Sequence, residues 1–199
     1  MEIRKLDKDF YLQKTFIVAR ELIGKVLVRI KKKKIYSGII VETEAYLGKS
    51  DPAAHSFRGK TKRNQAMFSE GGIAYVYFTY GNHYCFNVVT RGEGIGEAVL
   101  IRALEPAFGI GYMKKNRKRD DIYDLTSGPG KLTQAFEIDK NINRAKLDGK
   151  EIFIIENENG KYKVIRTPRI GITKNADKLL RYCAVNNPFV SMRKIKNKE

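Results

Sequence analysis

The chain has 199 residues, with 39 Lys plus Arg against 22 Asp plus Glu and a formal net charge of +17. That length suits one domain with an unaided core. The charge points to a phosphate-bearing partner, DNA or RNA first, over the plainer reading of a lysine-rich surface adapted to heat. No apolar run reaches about 18 residues, the start lacks a signal-peptide core, and two distant cysteines with two histidines make a poor metal set. An intracellular protein without metal or cofactor is expected: cytoplasmic, at the nucleoid in a prokaryote or nuclear in a eukaryote.

In chain order, apolar residues at Phe10, Leu12, Phe16, Ile17, Ala19, Leu22 and Ile23 recur with a helical period and predict one amphipathic helix from Asp9 to Lys25. Val26 to Ile30 and Ile35 to Tyr46 read as strands joined by the lysine run 31–34, a solvated tip with the option of touching phosphate. Gly48 to Gly72 reads as loop with a short helical piece around Asn64 to Phe68. Ile73 to Thr79 and His83 to Thr90 read as a hairpin that turns at Gly81.

Ala98 to Ala103 reads as a further strand, closed by Glu105-Pro106. A helix from Phe108 to Lys118 ends in a basic run, and Ser127-Gly128-Pro129-Gly130 precedes a short helix from Lys131 to Phe136. Late strands are expected at Ile152–Glu156, Val164–Arg166 and Arg181–Val185. With neither repeat nor dividing linker, residues 1–199 are expected to form a single compact mixed α/β domain. Its sheet would be mostly antiparallel, with peripheral helices and a protruding β-hairpin.

Chemistry concentrates between Val41 and Asn87, where V-E-T-E-A-Y-L-G, D-P-A-A-H-S, R-N-Q-A-M-F and Y-V-Y-F-T-Y-G-N-H-Y-C-F-N follow one another. Strand alternation puts Glu42, Glu44 and Tyr46 on one face. A carboxylate in an apolar strand must be paired or reached by solvent. An ion pair with a lysine is the plain reading, and the pattern does not choose between Glu42 and Glu44. Tyr75 and Tyr77 share a face, while Tyr80 at the turn can project as a wedge between base pairs. Tyr46 and Tyr77 could hold an extruded base between them, although strand tyrosines are more often core.

His55 sits in a loop, and Asn87 lies in an apolar strand where its amide needs a partner or a ligand. Arg102 closes its strand and could face Glu44. Ser127 to Lys131 is not a Walker loop, because Leu125 and Leu132 stand where Gly and Ser or Thr are required. Lys131 beside a helix start would still suit a DNA phosphate.

V-E-T-E-A-Y-L-G at 41–48, A-A-H-S at 53–56, R-N at 63–64, M-F at 67–68, Y-V-Y at 75–77, Y-G at 80–81, Asn87, R-A-L-E-P at 102–106, S-G-P at 127–129 and K-L at 131–132 together resemble the alkyladenine (3-methyladenine) DNA glycosylases, the type without a helix-hairpin-helix. The resemblance spans nearly the whole chain and favours Glu44 over Glu42. It implies a monofunctional glycosylase, acting as a monomer on duplex DNA that contains damaged purines. Glu44 would activate water with Arg102 beside it, and Tyr46, His55, Tyr77 and Asn87 would line the base pocket. Tyr80 would fill the vacated stack, with Thr61, Met67, Asn82 and Lys131 touching DNA. Asn82-His83 departs from the larger apolar residue often found after the wedge.

Two other readings compete with this one. A non-catalytic nucleic-acid-binding protein accounts for the charge but not for an acid among the aromatics. A free-nucleoside hydrolase leaves the charge without a purpose.

Overall fold

A computed structural model describes residues 4–158 and 160–191. Its organising element is β2 (Lys34–Tyr46), a strand of β-branched and aromatic residues buried along most of its length. On one edge β2 pairs antiparallel with β5 (Glu97–Phe108). On the other edge it changes partner partway along. Ile39 and the residues before it pair with β1 (Val26–Lys31), whereas Glu42, Thr43 and Glu44 pair with β8 (Arg181–Ala184). The path β3 (Ala74–Thr79), β4 (His83–Thr90), β5, β2, β1, β6 (Ile152–Ile155) is completed by β7 (Val164–Thr167) against β8. Among the described residues every strand pair is antiparallel, where a mostly antiparallel sheet was expected.

Among the described residues four α-helices lie on this curled sheet, giving one compact α/β domain: α1 (Lys8–Leu12), α2 (Thr15–Glu21), α3 (Ile110–Arg117) and α4 (Pro129–Ala135). The main core gathers Val18 and Leu22 of α2, Leu27 of β1, Ile40 of β2, Ile101 of β5 and Leu132 of α4. Among the described residues no helix is long and apolar enough to cross a membrane.

The structure corrects three expectations. The helix over 9–25 is two helices, because Gln13 and Lys14 leave helical geometry. The Tyr11 carbonyl accepts from the Arg91 N–H and Thr15 bonds Thr90, so tertiary contacts outweigh the helical period at the break. The strand expected to end at Ala103 continues through Pro106 to Phe108, because Ala107 is an extra residue there and a bulge tolerates the missing proline N–H. The lysine run is not simply solvated. Lys31 and Lys34 lie 3.3 and 3.2 Å from Glu137, which also accepts from the Tyr36 hydroxyl.

Candidate active site

Two bulges shape the centre of the sheet. Ile40 opposes Leu104 but Glu42 opposes Ala103, leaving Val41 extra on β2. Thr43 then opposes Ile101, leaving Arg102 extra on β5. Bulges bend strands and re-aim side chains, and here Arg102 comes between the two acids. Its Nε donates to Glu42 Oε1 at 3.2 Å, and its Nη1 lies 3.4 Å from Glu44 Oε1.

Both carboxylates are fully buried, but their company differs. Glu42 accepts from Arg102, from Arg181 Nε at 2.6 Å, and from the Ser191 hydroxyl and N–H at 2.9 and 2.7 Å. Glu44 accepts from the Ile170 N–H at 2.8 Å and from the Tyr46 hydroxyl at 2.8 Å, with Arg102 as its charged neighbour. Burial pushes the Glu44 carboxyl above its ordinary range, against the opposing pulls of Arg102, the Ile170 N–H and Tyr46. The Tyr46 hydroxyl is raised as well, by burial and then by the Glu44 charge, so it remains a donor.

Ile170 is held in place by its neighbour. Arg169 donates to Asp51 through both terminal nitrogens, at 2.5 and 2.9 Å, and to the Ala45 carbonyl at 2.9 Å. Burial works to raise the Asp51 carboxyl, but the Arg169 bonds and charge more than offset it and leave it below the usual range. The guanidinium also lies 4.7 Å from the Tyr46 ring centroid, a cation–π contact that fixes the ring from behind. The segment entering Ile170 is thereby bolted to β2.

In front of Tyr46 and Arg102 opens a cavity of about 290 Å³, near the small end of the roughly 300–1,000 Å³ range of small-molecule sites. One wall is aromatic: the rings of Tyr75 and Tyr77 on β3 have centroids 5.2 Å apart, and the edge of His55 meets Tyr77 at 4.5 Å. His55 Nδ1 is 3.0 Å from the Tyr75 hydroxyl. His55 is exposed overall, yet packing on one side of its ring and then the Arg63 charge hold the His55 pKa below its ordinary value. Asn87 on β4 lines the same cavity, with Nδ2 donating to the Tyr75 carbonyl at 3.0 Å. Met67, expected at DNA, is buried in the cavity wall. Glu44 itself lies one layer behind the lining.

The cavity mouth carries the β3–β4 hairpin. Tyr80 and Gly81 both take positive φ, 50° and 70°, the geometry that lets a short loop follow the twist of its strands. For a bulky residue such as Tyr80 this conformation is uncommon, and its ring is 80% exposed. Asn82 is exposed beside it. His83 Nδ1 is 2.5 Å from Asn82 Oδ1, and the His83 ring lies 5.7 Å from that of Tyr80. A Cβ at Gly130 would come within 2.6 Å of the His83 ring, so His83 seats the hairpin on α4.

Lys131 in the first turn of α4 pairs with Asp124, which Arg117 and Arg119 also approach at 3.5 and 3.7 Å. Thr61 is exposed, and its N–H donates to Asn64 Oδ1 at 2.6 Å. The buried Asn64 also donates to the His55 and Gly59 carbonyls, which gives the loop around His55 its shape.

Glu44, Arg102, Tyr46, His55, Tyr77 and Asn87 are thus brought together, with Tyr80 at the mouth and Thr61, Asn82 and Lys131 outside. Sequence reasoning assigned no site role to Ile170, Arg169, Asp51, Asn64 or Tyr75. Asp51 stands within the D-P-A-A-H-S stretch, whereas the backbone N–H of Ile170 leaves no side-chain signature.

Residues 9–188 match the family model described as Methylpurine-DNA glycosylase (MPG). A protein of Prosthecochloris aestuarii is 49% identical over 186 residues, covering 92% of this chain and 89% of its own. One from Francisella tularensis subsp. tularensis is 48% identical over 184 residues (90% and 95%), and one from Carboxydothermus hydrogenoformans is 47% identical over 190 (94% and 99%). All three bear the name "Putative 3-methyladenine DNA glycosylase". With a buried acid behind an aromatic cavity and a family match over nearly its full length, the chain belongs to the methylpurine-DNA glycosylases.

Proposed function

We propose that this DNA glycosylase extrudes a damaged purine from duplex DNA and hydrolyses its N-glycosidic bond with a water activated by Glu44. The observation that carries this reading is a fully buried carboxylate, with Arg102 and a backbone N–H on one oxygen, directly behind a cavity of base-binding size. A carboxylate has about four acceptor positions. The described hydrogen bonds to Glu44 occupy two, one on each oxygen, with the Arg102 charge beside Oε1, which leaves Oε2 room to take a proton from water.

Extrusion costs a few kcal/mol, least at damaged or mispaired bases, and Tyr80 on the hairpin tip fills the vacated stack. The base then lies among Tyr46, His55 and Tyr77. An alkylated purine that is already cationic gains from aromatic faces and leaves readily. Water oxygen bonds to the anomeric carbon as the bond to the base breaks. The bond's electron pair goes with the base and the water proton to Glu44, whose charge also stabilises the oxocarbenium-like sugar. One carboxylate suffices, unlike the pair used by ordinary glycosidases.

The water nucleophile makes the enzyme monofunctional, and the reaction as drawn involves one protein copy with neither metal nor cofactor. Asn87 rejects the exocyclic amino group of normal guanine. Thr61, Asn82 and Lys131 hold the flanking strand.

Glu44→Gln tests the assignment. Single-turnover base release from a lesion duplex is expected to fall by about 10²-fold or more, with lesion binding retained. With wild-type enzyme the abasic strand is expected to stay uncut, and borohydride to trap no adduct. A near-normal rate in Glu44→Gln would remove Glu44 from the mechanism, and a trapped adduct would put a lysine nucleophile in place of water.

A further inference from the structure

Glu42 has no part in the reaction above, yet it is as buried as Glu44 and holds the same arginine. A guanidinium is planar and rigid. Anchoring Nε on Glu42 at 3.2 Å therefore fixes where Nη1 points, and leaves it 3.4 Å from Glu44, longer than a close charge-assisted bond. Glu42 is itself braced by Arg181 from β8 and by Ser191, so it cannot readily yield to Arg102.

We propose that Glu42 is a positioning residue that sets how much of the Arg102 charge reaches Glu44, and thereby keeps Glu44 basic enough to deprotonate water. This rests on the reading of Glu44 as the base. Arg102 divides one positive charge between two acids. With Glu42 neutral, Arg102 would close on Glu44, and Glu44 would also lose a like charge two residues away on its own strand. Both changes make Glu44 a weaker base.

The other groups facing this pair leave Glu42 as the lever. Tyr46 of β2, Cys85 of β4 and Cys183 of β8 are all raised by burial, Cys183 to about 12, so they carry no charge near neutral pH. Arg181 is engaged by Glu42, and Arg169 by Asp51.

The test is Glu42→Gln, assayed by single-turnover base release across the acid limb of the pH profile. The midpoint of that limb is expected to move down by about half a unit or more. The plateau rate is expected to fall about 10-fold, with affinity for the lesion duplex unchanged. A midpoint that stays put or rises would reduce Glu42 to packing.

If thermal melting shows Glu42→Gln to be poorly folded, Ser191→Ala removes one donor from Glu42 Oε1 at a half-buried site. Glu42 then grips Arg102 harder and the midpoint moves up. No movement, or a fall, would overturn the proposal. An active Glu44→Gln would instead sink the assignment of the base, whereas an inactive one with an unmoved Glu42→Gln midpoint would sink this proposal alone.

Discussion

The proposed reading gives the Asn87 amide two jobs. Its Nδ2 is tied to the Tyr75 carbonyl, which holds the side chain in the cavity wall where a bound purine's edge would face it. Asn87→Ser shortens that wall. A steric discrimination of this kind is worth on the order of 1–3 kcal/mol. Excision of undamaged guanine is therefore expected to rise roughly 10- to 100-fold relative to hypoxanthine, in matched single-turnover assays. An unchanged ratio would mean the amide serves only the Tyr75 carbonyl. Residues of this kind were legible in the sequence because acids, amides and clustered tyrosines are unusual in apolar strands. Choosing Glu44 over Glu42 needed the family motif, since alternation gives both the same face. The Asp51–Arg169 pair was not legible, because its members stand 118 positions apart and each alone looks like a surface charge.

Elements show the same division. The late strands at Ile152 and Val164 and the hairpin turn announced themselves by β-branched residues and Gly81, whereas the break after α1 and the strand passing through Pro106 depend on partners distant in sequence. The β1–β2 turn gives a measurable case. The Tyr36 hydroxyl, then Lys34 and Lys31, hold Glu137 at about 2 against the opposing effect of burial, well below its ordinary 4.5. A depressed carboxyl stabilises the fold above its unfolded value and loses that contribution as pH falls toward the folded one. Glu137→Gln is expected to cost roughly 1 kcal/mol near neutral pH, allowing for solvent screening. The difference from wild type in urea unfolding should close between pH 4.5 and about 2. Parallel stability curves down to the acid end would show that the lysine turn is not clamped by this charge.

For the molecule as a whole, a net charge of +17 in a DNA glycosylase predicts strongly salt-dependent binding. A log–log slope of affinity against salt of about −4 or steeper is expected on lesion duplexes. A nearly flat dependence would mean that the cations are spread over the surface and do not face the duplex. The single α/β domain itself was legible from length, strand spacing and the absence of a linker. The handover of β2 from β1 to β8 was not, because short strands such as β8 carry no label for their partner.

That handover has a consequence for biosynthesis. Glu44 and its aromatic wall leave the ribosome early, but Ile170, Arg181 and Ser191, which complete the surroundings of the two acids, lie 126 to 149 residues downstream of them. Contacts of such long range form late, since closing a long loop costs entropy before any contact rewards it. A nascent chain can therefore expose its tyrosine hairpin and basic surface to nucleic acid before Glu44 acquires its full set of partners. On the reading of Glu44 as the base, cleavage of the base–sugar bond is expected to await the synthesis of Ile170, 126 residues downstream of it.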